Sequence, residues 1–134
     1  MSLKVAEEVA RQEFDRMCDA NRIDRDESNL DQEELEEWNE IRGKIVADIC
    51  RGQLVIDAEG RPVYTPAGGK SITFNAPTGA TFIALESHGK GKDLSNLVAA
   101  MADMTGTNKG DFSRMHAKDF KACCRLGNFF LADR

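Results

Sequence analysis

The chain has 134 residues, 41% of them hydrophobic, and 18 Lys and Arg against 23 Asp and Glu give it a net charge of −5. This length suits one domain, which buries about two-thirds of its unfolded surface and folds without a metal or a disulfide. With only 11 Gly and 3 Pro and no long apolar run, the composition argues against a collagen-like, low-complexity or membrane-spanning chain.

The charge is distributed unevenly along the chain. Residues 1–50 carry 7 basic and 15 acidic side chains, whereas residues 51–134 carry 11 basic and 8 acidic ones. The acidic half would be repelled by phosphate backbones, and the positive excess of the other half is too diffuse for a nucleic-acid footprint. We therefore expect no nucleic-acid partner. A chain with one acidic and one basic part could also pair with copies of itself, as a homo-oligomer.

The four cysteines, Cys18, Cys50, Cys123 and Cys124, lie at spacings that match neither a zinc site nor a Cys-x-x-Cys motif. They are interpreted as small apolar core residues. The first residues show no secretory signal pattern. Both observations favour a reducing, cytoplasmic location.

Two helices are predicted in the first part of the chain. Residues 3–18 place apolar side chains on one helical stripe. A longer helix ends at Arg51, before Gly52, and its cap is Asn29 or Asp31.

The middle of the chain changes to the two-residue period of strands. Residues 54–56 and 61–65 predict a hairpin, and residues 71–74 predict a third short strand. Because proline lacks an N–H, Pro62 places the second strand at a sheet edge unless it begins that strand.

The last part again favours helices. They are predicted over 80–87 with Thr78 as a possible cap, from a cap at Asp93 to just before Gly106, over a single turn at 112–115, and over 117–131.

The fold class is therefore α+β and mainly α-helical, with a small antiparallel β element at about residues 53–75. We expect one domain over 1–134. It comprises an acidic helical pair (1–52), the hairpin with its short strand (53–75) and a helical C-terminal block (76–134).

Four patterns could indicate chemistry, and each is incomplete. The segment that starts at Asp24 has neither the Gly nor the final Glu of a calcium loop, and the Glu cluster at 33–40 lacks the histidines of a di-metal bundle. His88 and His116 have no adjacent nucleophile motif, so surface or capping roles are favoured. The stretch 68–71, Gly-Gly-Lys-Ser, lacks the first Gly of a phosphate loop. We expect no enzyme, no metal and no cofactor.

The second half resembles the tail assembly chaperone family of long-tailed bacteriophages and prophages. The resemblance covers about residues 54–132, and its most recognisable element is a strand that runs into Pro77, Thr78 and Gly79 and then a helix. A helix that ends in Met-Thr-Gly and a terminal helix rich in Phe and Leu follow. The segments that carry the resemblance are 60–66, 72–81, 101–106, 112–115 and 119–123.

The resemblance implies a small, non-enzymatic protein of the bacterial host cytoplasm that binds the tape measure protein until the tail tube forms around it. Such a protein needs apolar helix faces that can cover a partner's apolar stripes. An alternative is a structural head or tail completion or connector protein, which would remain in the particle. The candidate partner-binding residues, which could instead pack in the core, are Leu94, Val98, Met101, Phe129, Phe130 and Leu131.

Overall fold

The computed structural model describes residues 4–132. These residues form six helices and one small antiparallel sheet, and 57% of them are helical, which confirms the predicted mainly helical α+β class. The chain divides into two compact units, one ending at Val63 and the other beginning at Tyr64. The boundary falls inside the second strand rather than at residue 52 or 75. That the whole chain is a single domain stays a prediction.

The elements follow each other in the predicted order. The first unit contains helices α1 (Glu7–Ala20) and α2 (Gln32–Cys50) and strand β1 (Leu54–Ile56), and strand β2 (Pro62–Tyr64) spans the boundary. The second unit continues with β3 (Ile72–Thr73), α3 (Gly79–Leu85), α4 (Asp93–Thr105), α5 (Lys109–Ser113) and α6 (Ala117–Leu131). The sheet order is β1-β2-β3, so β2 is the central strand. Pro62 is the first residue of β2, which is the position that the sequence analysis allowed for a proline in a strand that is not at the edge.

Helix α1 begins later than predicted. Leu3 lies outside the described residues, and Lys4 and Val5 are not helical. Their N–H groups instead donate to the carbonyl oxygen of Cys50, at 3.0 and 3.1 Å. The residues before α1 are thus bonded to the end of α2, and the helix starts only at Glu7.

A reciprocal cap fixes the start of α2. Oδ1 of Asp31 accepts the N–H of Glu34 at 2.8 Å, and Oε1 of Glu34 accepts the N–H of Asp31 at 3.2 Å. Of the two predicted caps, Asp31 is therefore the correct one. The helix ends before Gly52, which has a φ of +80°. Trp38 of α2 packs edge-on against Phe14 of α1, with the ring centroids 6.0 Å apart.

The hairpin of the first unit is bonded to α1. Arg16 donates to the carbonyl oxygens of Ile56 and Asp57, at 2.9 and 2.7 Å. At the turn, Gly60 has a φ of +83°, and a Cβ there would lie 2.2 Å from Cβ of Ala20. Only glycine fits both the conformation and the close approach.

Helix α4 differs from prediction at its start. Lys92 is the N-cap and Asp93 is the first helical residue, so the assignment of Asp93 as the cap was wrong. Asp93 still lies in the first turn, where a carboxylate interacts favourably with the positive end of the helix dipole. Gly106, with a φ of +71°, ends the helix as expected.

Helix α6 has the predicted bounds, and it packs closely on α4. A Cβ at Gly127 would lie 2.9 Å from both Cγ and Sδ of Met101, so the absence of a side chain permits the contact. Met101, Phe112 and Leu126 are almost completely buried in this unit. Within residues 4–132, no helix combines the length and apolar character needed to cross a bilayer.

Candidate functional site

Three large apolar side chains of the second unit are exposed to solvent. Phe82 and Ile83 on α3 are 48% and 77% exposed, and Leu94 in the first turn of α4 is 58% exposed. We refer to these three residues as the apolar surface. Solvation of large apolar groups is unfavourable, and where such side chains are contiguous they mark interaction sites.

A polar contact positions α3 so that these side chains point outward. Thr81 is 1% exposed, and its hydroxyl donates to Oδ2 of Asp103 on α4 at 2.6 Å. The hydroxyl oxygen of Thr81 also accepts the N–H of Thr78, at 3.0 Å. Adjacent helical residues project about 100° apart, so with Thr81 directed at α4 the neighbouring Phe82 and Ile83 turn away from it.

An open groove of about 680 Å³ lies beside the apolar surface and includes Leu94. Four leucines from three helices supply most of its apolar lining, and polar groups lie among them. The groove is lined by Leu85, Leu94, Leu97 and Leu131, together with Asp93, Asn96, Asn128 and Ala132.

The buried amide of Asn96 holds the loop that joins α3 to α4. Its Oδ1 accepts the N–H of His88 at 2.9 Å, and its Nδ2 donates to the carbonyl oxygen of Gly89 at 3.0 Å. Because Asn96 is only 9% exposed, these bonds are shielded from competing water. The loop therefore keeps Leu85 at the end of α3 close to Leu94 at the start of α4.

The six residues predicted to bind a partner fall into two groups. Leu94 is exposed, and Val98 and Leu131 are half-buried, with Leu94 and Leu131 lining the groove. The other three lie in the core, since Met101, Phe129 and Phe130 are 0%, 4% and 6% exposed. In this conformation, a partner could contact only the first group. The binding role of all six stays a prediction.

Sequence reasoning missed Phe82 and Ile83 as surface residues. Two adjacent large apolar residues on a helix of 7 residues cannot both face one neighbouring helix, because they project in different directions. That adjacency was the available signal. It indicated that at least one of the two side chains would be poorly covered.

The other patterns considered in the sequence form no reactive site among the described residues. Within residues 4–132, no three His, Cys, Asp or Glu side chains gather as metal ligands would. Oδ1 of Asp24 and Oδ1 of Asp26 each accept a backbone N–H two residues later, as in ordinary polar turns. The glutamates of α2 that the sequence singled out are exposed.

His116 caps a helix, and the cysteines are buried or partly buried. His116 is the N-cap of α6 and its Nδ1 accepts the N–H of Lys118 at 3.1 Å, which confirms a capping role. Cys18, Cys50 and Cys123 are buried, as predicted, and Cys124 is partly buried. Burial raises the pKa of the Cys124 thiol, which disfavours the nucleophilic thiolate.

No protein-family model matches the chain, and the comparisons with curated proteins and with solved structures find no match either.

Proposed function

We propose that this chain is a non-enzymatic tail assembly chaperone of a bacteriophage or prophage. It binds the tape measure protein in the bacterial cytoplasm during tail assembly. The observation that carries the proposal is the apolar surface formed by Phe82, Ile83 and Leu94, which lies within the region that resembles this family.

The energetics of the apolar surface favour a protein partner. Covering a large aliphatic or aromatic side chain stabilises a complex by about 1.5–3 kcal/mol when the side chain was fully exposed, and by a fraction of that when it was partly exposed. Ile83, at 77% exposure, has the most to gain. We therefore expect it to contribute the largest single share of the binding free energy.

The leucine lining of the groove suits the apolar face of an amphipathic helix. Such a helix presents apolar side chains at intervals of three and four residues, and a groove lined by leucines from several helices can accept them. Leu94 belongs to both the groove and the apolar surface, which would let one partner helix contact both. The net charge of −5 keeps a protein with such a surface soluble.

Co-expression with the tape measure protein tests the proposal. The wild-type chain should raise the soluble yield of that protein and co-purify with it, and Ile83→Glu combined with Leu94→Asp should abolish both effects. The matched control is Val9→Asp, because Val9 is an exposed apolar residue (48%) on helix α1. This control should behave as wild type.

Two results would contradict the proposal. One is an unchanged soluble yield together with no co-purification of the wild-type chain. The other is the presence of the chain in purified, finished particles, which would favour the structural completion protein instead.

A further inference from the structure

A polar cleft of about 690 Å³ lies in the second unit, and none of the three residues of the apolar surface lines it. One wall is the loop that contains Lys70, and the other consists of the segments around Asn108 and Arg114 to His116. The cleft is large enough for a small organic ligand. The polar cleft is defined here by six of its lining side chains, Lys70, Asn108, Asp111, Arg114, His116 and Asp119.

Donors of the polar cleft have unused hydrogen-bonding capacity. Among the described residues, the Lys70 ammonium makes no ion pair and no hydrogen bond. Asn108 uses its Oδ1 to accept the N–H of Asp111 at 2.9 Å, which leaves its amide NH₂ available. His116 accepts through Nδ1, so Nε2 carries the proton of the neutral ring and can donate.

The guanidinium of Arg114 lies next to Asn108. A Cβ at Gly110 would be 3.1 Å from Nη1 of Arg114 and 3.2 Å from Oδ1 of Asn108, so both side chains lie against this one glycine. Nη2 of Arg114 pairs with Asp111. Since a guanidinium has five N–H donors, one such pair leaves most of them unused.

The acceptors of the polar cleft are already occupied. Oδ1 of Asp119 accepts the hydroxyl of Tyr64 at 2.7 Å, and Oδ2 accepts the N–H of Ala67 at 3.3 Å. Asp119 is only 5% exposed. The carboxylate of Asp111 is paired with Arg114. The two cations and two carboxylates of the cleft balance in formal charge, but Arg114 and Asp111 pair with each other, so the cleft still offers the unpaired Lys70 ammonium and several spare N–H donors.

We propose that the polar cleft binds the phosphate group of a small ligand. Lys70 would supply the unpaired positive charge, and Arg114, Asn108 and His116 would add N–H donors. A phosphate has three strong acceptor oxygens and a charge of about −1.5 to −2 when it is a monoester, which matches several donors better than a carboxylate does. The sequence motif at 68–71 is incomplete as a phosphate loop. The fold nevertheless brings its lysine to side chains that come much later in the chain.

An NMR titration of the full chain with inorganic phosphate, at constant ionic strength, tests this proposal. The amides of residues 68–71 and 107–116 should shift and saturate, with a dissociation constant of about 1 mM or tighter. Lys70→Gln should weaken binding at least about tenfold while it leaves the Arg114–Asp111 pair in place. The control, Lys90→Gln, alters an exposed lysine outside the cleft and should bind as wild type does.

Three outcomes would overturn the proposal. They are shifts that do not saturate, equal shifts when chloride replaces phosphate, and a Lys70→Gln variant that binds as tightly as wild type. Unchanged amide positions in α4 and α6 will show that the variant is folded, so a loss of binding can be assigned to the lost lysine.

Discussion

The hydroxyl of Tyr64 donates a 2.7 Å hydrogen bond to Oδ1 of Asp119, which follows it by 55 residues in the chain. Tyr64 is 2% exposed and Asp119 is 5% exposed. A buried carboxylate is stable only when its oxygens are hydrogen-bonded. This pair therefore links the first residue of the second unit to its last helix.

Tyr64→Phe is expected to lower the free energy of unfolding by about 1.5–3 kcal/mol, because a bond to a buried charged group is lost while the ring is kept. Urea denaturation followed by circular dichroism measures this change. The control is Thr65→Val, which removes an exposed hydroxyl bond to Ser71 and should cost about 0.5 kcal/mol or less. If both substitutions lowered the free energy of unfolding equally, the buried bond of Tyr64 would be no more stabilising than the exposed bond of Thr65.

Trp38→Ala should destabilise the first unit by about 3–5 kcal/mol. The indole is 6% exposed and packs against Phe14, so truncation leaves a cavity and removes an aromatic contact. Chemical denaturation measures the loss. A change under about 0.5 kcal/mol would mean that α2 does not depend on this contact.

Two glycines within helices should respond to alanine with opposite signs. At Gly127 a Cβ would lie 2.9 Å from Met101 and 3.3 Å from Leu97, so overpacking should cost about 1–3 kcal/mol and exceed the gain in helix propensity. At Gly43 on α2 a Cβ meets nothing within 4 Å, so Gly43→Ala should stabilise by about 0.5–1 kcal/mol. Thermal unfolding of both variants measures the signs. Stabilisation by Gly127→Ala would contradict the close approach of α4 and α6.

The hairpin of the first unit should lose stability in acid through Asp57. The backbone N–H of Arg61, its guanidinium and the N–H of Glu59 lower the pKa of Asp57 below its usual 3.8. A folded pKa below the unfolded one stabilises the protein at pH values above the unfolded pKa. The contribution is lost as the pH falls through the folded pKa.

An NMR titration of the carboxyl carbon should therefore give Asp57 a midpoint below the usual value. Asp57→Asn should lose less stability than wild type when the pH is lowered through this range. A midpoint at or above 3.8 would contradict the bonding described for the turn.

The sequence was sufficient to predict those elements whose signals are local. Helix α2 has a periodic apolar face and the Asp31–Glu34 capping pair, and α6 was predicted with its observed bounds. The start of α1 could not be predicted, because it depends on bonds from Lys4 and Val5 to Cys50, which is distant in the chain.

The candidate site was only partly predictable, for a related reason. Periodicity shows which face of a helix is apolar, but not whether another element covers it. Met101 and Leu94 belong to the same predicted face of α4, yet one is buried by the approach at Gly127 and the other is exposed at the helix start. The exposure of Phe82 likewise depends on the bond between Thr81 and Asp103.

Hydrogen–deuterium exchange of the chain, alone and mixed with the tape measure protein, locates the proposed binding surface directly. If the apolar surface binds the tape measure protein as proposed, exchange should be slower in the complex for residues 79–98, which contain that surface, and unchanged in α1. Protection confined to α1 and α2, with no change over residues 79–98, would contradict it.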